Sequence, residues 1–285
     1  MSTTARCGFD GAPACDIQEV IINPPREGGG GSGGIIWGPG DSPGGGCPEH
    51  QMCLDDGTGG GGGSSSTNID PCVQANGPSS IATTNSTSPA FINSKTSISG
   101  MNNNLENGVV LGNVNNSIES TNIQMGGSHS ISLTHSFSDP VADLHNHTNN
   151  NPPSVGDLYS LMEARNRFVN YNTRYIITVN GTTYALAVTN PSAMNSFLQN
   201  YPPEVTPNPN GGSFVNFPSS INDIYLDVYT YYNGTQEMAL AYILDKYNAG
   251  VALTKMDSNG NFKKLGTIET VNPDGTRTYY QNNCQ

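Results

Sequence analysis

Glycine is concentrated in the first part of this 285-residue chain, and this restricts where a packed core can form. Nineteen of the 34 glycines precede residue 64, in runs such as "REGGGGSGG" and "GTGGGGGSSS". Such segments carry few apolar side chains whose burial could offset the entropy lost when the backbone is ordered. We therefore predict a flexible, disordered Gly/Ser/Asn-rich linker over residues 1–95 and a folded domain over residues 96–285.

Composition and charge argue against two classes of partner. The formal net charge is −12, and hydrophobic residues make up 34% of the chain, below the about 45–50% of ordinary globular proteins. Nucleic-acid binding needs clustered Lys and Arg, and no basic patch is present. No apolar run reaches the roughly 18 residues of a membrane span. The first residues, "MSTTARCGFDGAPACD", lack the apolar core of a signal peptide, so we expect any export to use a longer precursor or a non-classical route.

The six cysteines allow two interpretations. Five of them lie within the first 72 residues and the sixth is Cys284. An even number in loop-like surroundings is typical of disulfides in exported proteins. "CPEHQMC" also offers Cys47, His50 and Cys53 as metal ligands, but without C-x₂-C spacing or an obvious fourth ligand. We expect disulfides or free thiols there rather than zinc, and the sequence does not choose between them.

Apolar periodicity begins near residue 105 and mixes strand and helix patterns without regular βαβ alternation, which indicates an α+β fold. Ser154 stands where it can cap a helix, and Asn180-Gly181 is a hairpin turn signal. The predicted strands are "GVVL", "IESTNIQ", "SISLTHSF", "VADLHN", "VALTKM", "FKKLGTI" and "TRTYY", the predicted helices are "SVGDLYSLMEARNRFVNY", "PSAMNSFLQNY", "SINDIYLDVYTYY" and "TQEMALAYILDKYNAG", and the hairpin is "TRYIITVNGTTYALAVT".

Two histidines and an aspartate form the strongest candidate for a chemical site. His145 and His147 are two apart on a predicted strand, so their side chains project from the same face. Asp157 lies in the first turn of the next helix, and the loop between them can fold back. Two imidazoles and a carboxylate suit zinc, and three protein ligands leave a fourth position open, as in catalytic zinc sites. The alternative is that Asp157 serves only as a partner of Ser154 in a capping box.

The stretch "LHNHTNNNPPSVGDL" resembles the signature of the JAB/JAMM (MPN-plus, RadC-like) zinc metalloproteases, H-x-H-x₇-S-x₂-D. That family also carries an upstream glutamate before a glycine-bounded strand, matched here by "ENGVVLG" with Glu106. The resemblance covers about residues 104–190 and includes bacterial members of the family. It implies a JAB/MPN-like mixed sheet flanked by helices, with Zn²⁺ held by His145, His147 and Asp157.

The resemblance also implies a reaction. Glu106 would act as general base on a metal-activated water, and Ser154 would stabilise the tetrahedral intermediate formed from a peptide or protein substrate. The bond broken would be a peptide or isopeptide bond. Independently of the resemblance, the glycine-rich linker suggests that the domain is the C-terminal module of a secreted effector or toxin-like protein. The alternatives are a catalytically inactive JAB-like binding or scaffold module, and a surface protein held together by disulfides.

The chain departs from the family pattern in two places. Six residues, not seven, separate His147 from Ser154. Glu106 also lies one residue closer to its strand than the pattern places it, and one residue on a regular strand changes the face. We therefore expect a bulge or a shift near Glu106, with Glu119 as the second candidate for the base.

Overall fold

The computed structural model of the chain describes residues 70–72, 75–208, 213–231 and 234–284. Most of the predicted linker, including Cys47, His50 and Cys53, lies outside the described residues. Within them the chain forms six α-helices and a mixed sheet, which confirms the α+β class. No helix in this part of the chain is both long enough and apolar enough to span a membrane.

Helices and strands alternate irregularly along the chain, as the sequence predicts. The helices are α1 (Asn76–Ser86), α2 (Pro89–Ser99), α3 (Val155–Arg167), α4 (Pro191–Asn200), α5 (Ser219–Leu226), which continues into a π-helical turn (Asp227–Tyr231), and α6 (Gln236–Lys246). The strands are β1 (Asn107–Val114), β2 (Ser117–Ser120), β3 (Gln124–Met125), β4 (Pro140–Asn146), β5 (Thr173–Ile177), β6 (Thr183–Val188), β7 (Glu204–Pro207), β8 (Ser213–Asn216), β9 (Val251–Met256), β10 (Phe262–Val271) and β11 (Arg277–Asn283).

One mixed sheet organises the domain, with strand order β11-β10-β9-β6-β5-β4-β1-β2 and β3 paired to β1. The paired strands of this sheet run antiparallel, except that β4 and β5 run parallel. A parallel pair needs a crossover connection, and α3 provides it. Strand β4, which carries His145, therefore lies inside the sheet with β1 on one side and β5 on the other. β7 and β8 form a separate two-stranded sheet.

Both faces of the sheet are covered by helices. Strand β6 is buried at all six positions, the pattern of a central strand with a layer on each side. One apolar cluster packs α3 to α6 against the sheet, and a smaller cluster packs α1 and α2 against the opposite face. The smaller cluster contains Ala82, Phe91, Ile98, Val109, Leu111, Ala142, Leu144, Tyr175, Ile177, Ala185 and Phe262.

The predicted domain boundary at residue 96 is wrong, because residues 76–95 form α1 and most of α2. Ser88 caps α2 by accepting a hydrogen bond from the Phe91 amide, and Pro89 occupies the first turn. The Tyr175 hydroxyl donates to the Ala82 carbonyl in α1 at 2.6 Å. Ser, Thr and Asn dominate both helices, so their apolar periodicity is weak, and tertiary packing supplies most of their stability.

A disulfide ties the start of the described chain to its end. Cys72 and Cys284 are bonded across a sequence separation of 212 residues. Beside this bond, the Lys264 ammonium donates to the Pro71 carbonyl at 2.5 Å and to Asp245 at 2.7 Å. For these two cysteines the disulfide interpretation is confirmed, and the folded domain begins well before residue 96.

The predicted strand "SISLTHSF" is also wrong, since residues 128–139 form no strand. The segment instead runs across β1, where two glycines leave room for its side chains. Phe137 occupies the space that a side chain at Gly112 would need, and Leu133 lies close to Gly108. These contacts replace the strand-to-strand hydrogen bonds that the alternating pattern predicts.

We expect Phe91→Ala to destabilise the domain by about 3–5 kcal/mol, the usual cost of removing a buried phenylalanine. Phe91 is 1% exposed and its ring lies 4.7 Å from that of Tyr175. The neighbouring Ile92 is 52% exposed, so Ile92→Ala should change stability by no more than about 0.5 kcal/mol. Urea denaturation of both variants measures this difference, and equal stabilities would show that α2 is not part of the domain.

Candidate metal centre

The strand pairing places both histidines on one face of the sheet. His145 lies in β4 directly opposite Gly108 of β1. His147 follows the end of β4, and its amide still donates to the Ile177 carbonyl at 2.8 Å, so the extended backbone continues to this residue. Both imidazoles are buried, with ring centroids 5.3 Å apart.

Gly108 is required for this arrangement. A Cβ atom at this position would lie 2.9 Å from the His145 Cβ and 2.9 Å from the Leu144 carbonyl oxygen. Real Cβ atoms do not approach other heavy atoms so closely, and the obstructing atoms belong to the neighbouring strand. The absence of a side chain at Gly108 therefore lets β1 pass beside the His145 side chain.

Asp157 faces both histidines from the first turn of α3. One carboxylate oxygen lies 3.2 Å from His145 Nε2 and the other lies 3.2 Å from His147 Nε2. The same carboxylate accepts hydrogen bonds from the Ser154 amide at 2.9 Å and the Ser154 hydroxyl at 2.7 Å. The Asp157 amide in turn donates to the Ser154 hydroxyl oxygen, which completes a capping box. Asp157 thus caps the helix and faces the histidines at the same time.

The loop between His147 and Ser154 closes despite having one residue fewer than the family pattern. His147 Nδ1 donates to the Asn151 carbonyl at 3.0 Å, and the Asn149 carbonyl accepts from the Val179 amide. These bonds fold the loop back over the end of β4. The shorter loop is therefore compatible with bringing Asp157 to the two histidines.

The three side chains have the spacing of a metal centre. His145, His147 and Asp157 each offer a ligand atom, and these atoms all lie within 4.8 Å of one another. In a tetrahedral zinc site with bonds of about 2.0–2.1 Å, neighbouring ligand atoms are about 3.3 Å apart. The two nitrogen-to-oxygen distances of 3.2 Å are close to this edge and also lie in the hydrogen-bond range. The three residues therefore have the donor types, spacing and burial of a site that can hold a metal ion.

The Nδ1 atoms of the two histidines, which point away from Asp157, differ in their hydrogen bonding. Donation from His147 Nδ1 to Asn151 leaves the Nε2 lone pair available to a metal, as in most histidine ligands. His145 Nδ1 is buried and has no hydrogen-bond partner among the described residues. Within the described part of the chain, the supporting hydrogen bond that usually orients a metal-binding histidine is thus found for His147 but not for His145.

The charge balance keeps the Asp157 carboxylate ionised. Burial by itself would raise its pKa, but the neighbouring His145 and His147 lower it, and the pKa lies well below the ordinary value. An ionised carboxylate between two imidazole nitrogens is the state that binds a cation.

Glu106 directly precedes β1 and lies close enough to the centre to feel the charges of His145, His147 and Asp157. Continuing the β1–β4 register from the pair Gly108–His145 places Glu106 opposite His147, on the same face of the sheet. Its backbone remains extended, because its amide donates to the Gly127 carbonyl and its carbonyl accepts from the Gly126 amide. Two successive residues, Gly126 and Gly127, therefore bond to Glu106, which is the two-against-one count of a β-bulge. A second irregularity, in the pairing of β1 with β4, falls between Leu111 and Gly112.

Burial is the main influence on the Glu106 carboxyl group. It raises the pKa of Glu106, His145 and His147 lower it, Asp157 raises it, and the net shift is upward. By contrast, Glu119 is exposed on β2 and pairs with Gly112, four residues along β1 from the pair that carries His145. Of the two candidate bases, the register places only Glu106 opposite a histidine of the centre.

The Ser154 hydroxyl is fully engaged in the helix cap. It donates to the Asp157 carboxylate and accepts from the Asp157 amide. These contacts make Ser154 a residue that orients Asp157. Its expected contact with a tetrahedral intermediate stays a prediction.

Sequence reasoning missed a buried ion pair behind the centre. Asp143 and Arg174 are neighbours across the parallel β4–β5 pairing, and the Tyr171 hydroxyl donates to Asp143. Asp143 precedes His145 by two residues, so strand periodicity places it on the same face. Its pairing with Arg174, however, follows from the parallel alignment of two strands that sequence patterns do not reveal.

A cavity of about 270 Å³ borders His147 but none of the other residues of the centre. Its walls come from the end of α2, the residues before β1 and the turn between β5 and β6. They include Met101, Leu105, Asn146, Thr148, Ile177 and Val179.

Comparison of the chain with protein-family models, curated proteins and solved structures gives no match. The resemblance to JAB/JAMM metalloproteases therefore stays a prediction. It rests on the motif residues, and the geometry described above is independent of it.

We expect Glu106→Gln to raise the melting temperature of the metal-free domain at about pH 7, because it removes a buried carboxylate whose folded-state pKa is raised. When the pKa of a carboxyl group is higher in the folded than in the unfolded protein, the group destabilises the fold at pH values above the folded-state pKa. This destabilisation disappears below the pKa of the unfolded state, about 4.3 for glutamate, because the group is then protonated in both states. The advantage of the variant should therefore vanish near pH 3.5. Thermal denaturation with a chelator at both pH values measures it. Glu119→Gln, at an exposed position, is the control. Equal effects of the two variants would contradict the conclusion that burial raises the pKa of Glu106.

Proposed function

We propose that the domain is a zinc-dependent hydrolase of peptide or isopeptide bonds. The observation that carries this proposal is the buried cluster of His145, His147 and Asp157, with a second buried carboxylate, Glu106, directly before the adjacent strand β1. Buried ionisable groups are costly, so four of them in one place need a reason beyond folding. Binding a divalent cation provides that reason.

The donor set favours zinc over the alternatives. Imidazole nitrogen suits zinc, whereas Mg²⁺ and Ca²⁺ prefer oxygen ligands in larger numbers. Two histidines and one carboxylate leave room for a fourth, exchangeable ligand, the composition of catalytic zinc sites. When bound, Zn²⁺ supplies a Lewis acid that polarises a carbonyl group and makes water more acidic.

The protein's own residues supply the remaining chemistry. Glu106 accepts a proton from the attacking water at its carboxylate and returns that proton to the leaving nitrogen. Water and an amide bond thereby yield a carboxylic acid and an amine. The raised pKa of Glu106 favours this role, since a base works best when its pKa approaches the operating pH. Ser154 holds the Asp157 carboxylate in place.

Two further observations bear on the setting of this activity. The cavity beside His147 is the described space that adjoins the centre, and we expect part of a substrate to enter it. The Cys72–Cys284 disulfide is of a kind that persists in oxidising environments, which supports a module that acts after export. The zinc-binding but inactive scaffold module differs from the hydrolase only in turnover, so an activity measurement decides between them.

We expect purified wild-type protein to contain one zinc ion per chain at this centre, and His147→Ala to lose it. Asp157→Asn distinguishes ligation from capping, because an asparagine oxygen in this first-turn position can still accept the hydrogen bond of the Ser154 amide but lacks the charge that binds zinc. This variant should keep its fold and lose zinc affinity. Elemental analysis of protein purified without chelator measures the metal, and His129→Ala serves as the control. Equal metal content in wild type and His147→Ala would refute the site.

We expect Glu106→Gln to retain zinc and to lose turnover by about 10²–10⁴-fold, the usual contribution of a general base. The matched variant Glu119→Gln should keep both. Cleavage of a fluorogenic peptide and of a ubiquitin-like conjugate provides the assay. If wild type binds zinc and cleaves neither substrate, the scaffold interpretation replaces the hydrolase.

A further inference from the structure

Arg174 approaches the Asp157 side chain from the sheet. Its Nη1 atom lies 3.6 Å from the Asp157 carboxylate oxygen that also faces His145, and 3.4 Å from the Asp157 carbonyl oxygen. The guanidinium therefore contacts α3 at the residue whose carboxylate faces both histidines. No other cation of the described residues forms an ion pair with Asp157, apart from the two histidines themselves when protonated.

Asp143 holds the guanidinium in this position. Arg174 Nε donates to both Asp143 oxygens, at 3.1 and 3.0 Å, and Nη2 donates to one of them at 2.6 Å. The Tyr171 hydroxyl donates to the same carboxylate at 2.5 Å. These bonds use the Nε and Nη2 side of the guanidinium and leave Nη1 directed at Asp157. Only arginine offers such a planar fork with donors on two sides.

The location of this pair argues against a purely structural salt bridge. The Asp143 side chain is fully buried and that of Arg174 is 11% exposed. A buried ion pair contributes little net stability compared with apolar residues of similar size. A buried ion pair next to a metal ligand can have another role, because the residues that contact metal ligands orient those ligands and tune their basicity.

We infer that Arg174 is a positioning residue of the metal centre, which holds the Asp157 carboxylate between the two histidines while Asp143 anchors its guanidinium. The inference rests on the zinc centre of the proposed function. In the bonding pattern described, Ser154 fixes one Asp157 oxygen and Arg174 lies beside the other. The carboxylate then has little freedom to rotate away from His145 Nε2.

The variant Arg174→Lys isolates this role. Lysine keeps the positive charge and can still pair with Asp143, so the electrostatic repulsion toward a zinc ion is largely retained. Its single ammonium group lacks the planar fork that reaches Asp143 and Asp157 together. We expect the zinc dissociation constant of the folded apoprotein to rise about 10–100-fold, the usual effect of losing such a partner. Competition with a chromophoric chelator measures it.

Tyr171→Phe is the matched control. It removes one buried hydrogen bond to Asp143 but leaves both charges and the Arg174 contact with Asp157. This variant should lower thermal stability while changing zinc affinity by less than about 3-fold, because the orientation of Asp157 is untouched. If it weakens zinc binding as much as Arg174→Lys does, the effect reports general loosening and the inference fails.

A second variant covers the case in which Arg174→Lys does not fold. Asp143→Asn keeps Arg174 and the local shape but removes the anchoring charge, which frees the guanidinium to pair fully with Asp157 and compete with the metal. Zinc affinity should again fall about 10-fold or more. Wild-type affinity in either folded variant overturns the inference and leaves the proposed function intact. Absence of zinc binding in the wild type overturns both.

Discussion

The Asp157 carboxylate is the group on which the candidate site depends. It closes the helix cap with Ser154 and faces His145 and His147 at 3.2 Å. Capping and metal binding were opposed interpretations of the sequence, and the geometry makes them compatible. The capping box orients the side chain, so the carboxylate faces the histidines in a fixed direction. The start of a helix thereby forms part of the candidate metal centre.

The surrounding sheet explains why this carboxylate meets the histidines at all. β4 lies between β1 and β5, and the crossover through α3 returns the chain over the end of β4. Gly108 lets β1 approach His145, and the same register places Glu106 opposite His147. Arg174 enters from β5. Three neighbouring strands and one helix thus each contribute one face of the centre.

Local patterns predicted the elements well where apolar residues recur at a clear period. Strand β1, the helix from Val155, the hairpin around Gly181 and the final strands follow from such patterns. The prediction failed for α1 and α2, because Ser, Thr and Asn fill most of their positions and burial of Ala82, Phe91 and Ile98 stabilises them. It failed again at residues 128–139, where an alternating segment packs over glycines instead of pairing as a strand.

The sequence by itself determined which residues form the centre, since the i, i+2 spacing of His145 and His147 and the helix-start position of Asp157 are local properties. The tertiary structure alone decided the strand register that places Glu106 beside His147 and the parallel pairing that brings Arg174 to Asp157. The disulfide partner of Cys72 was likewise decided by the fold. The physical reason is the same in each case. These contacts join residues far apart in the chain, and the packing of the whole sheet selects them rather than the conformational preference of any short segment.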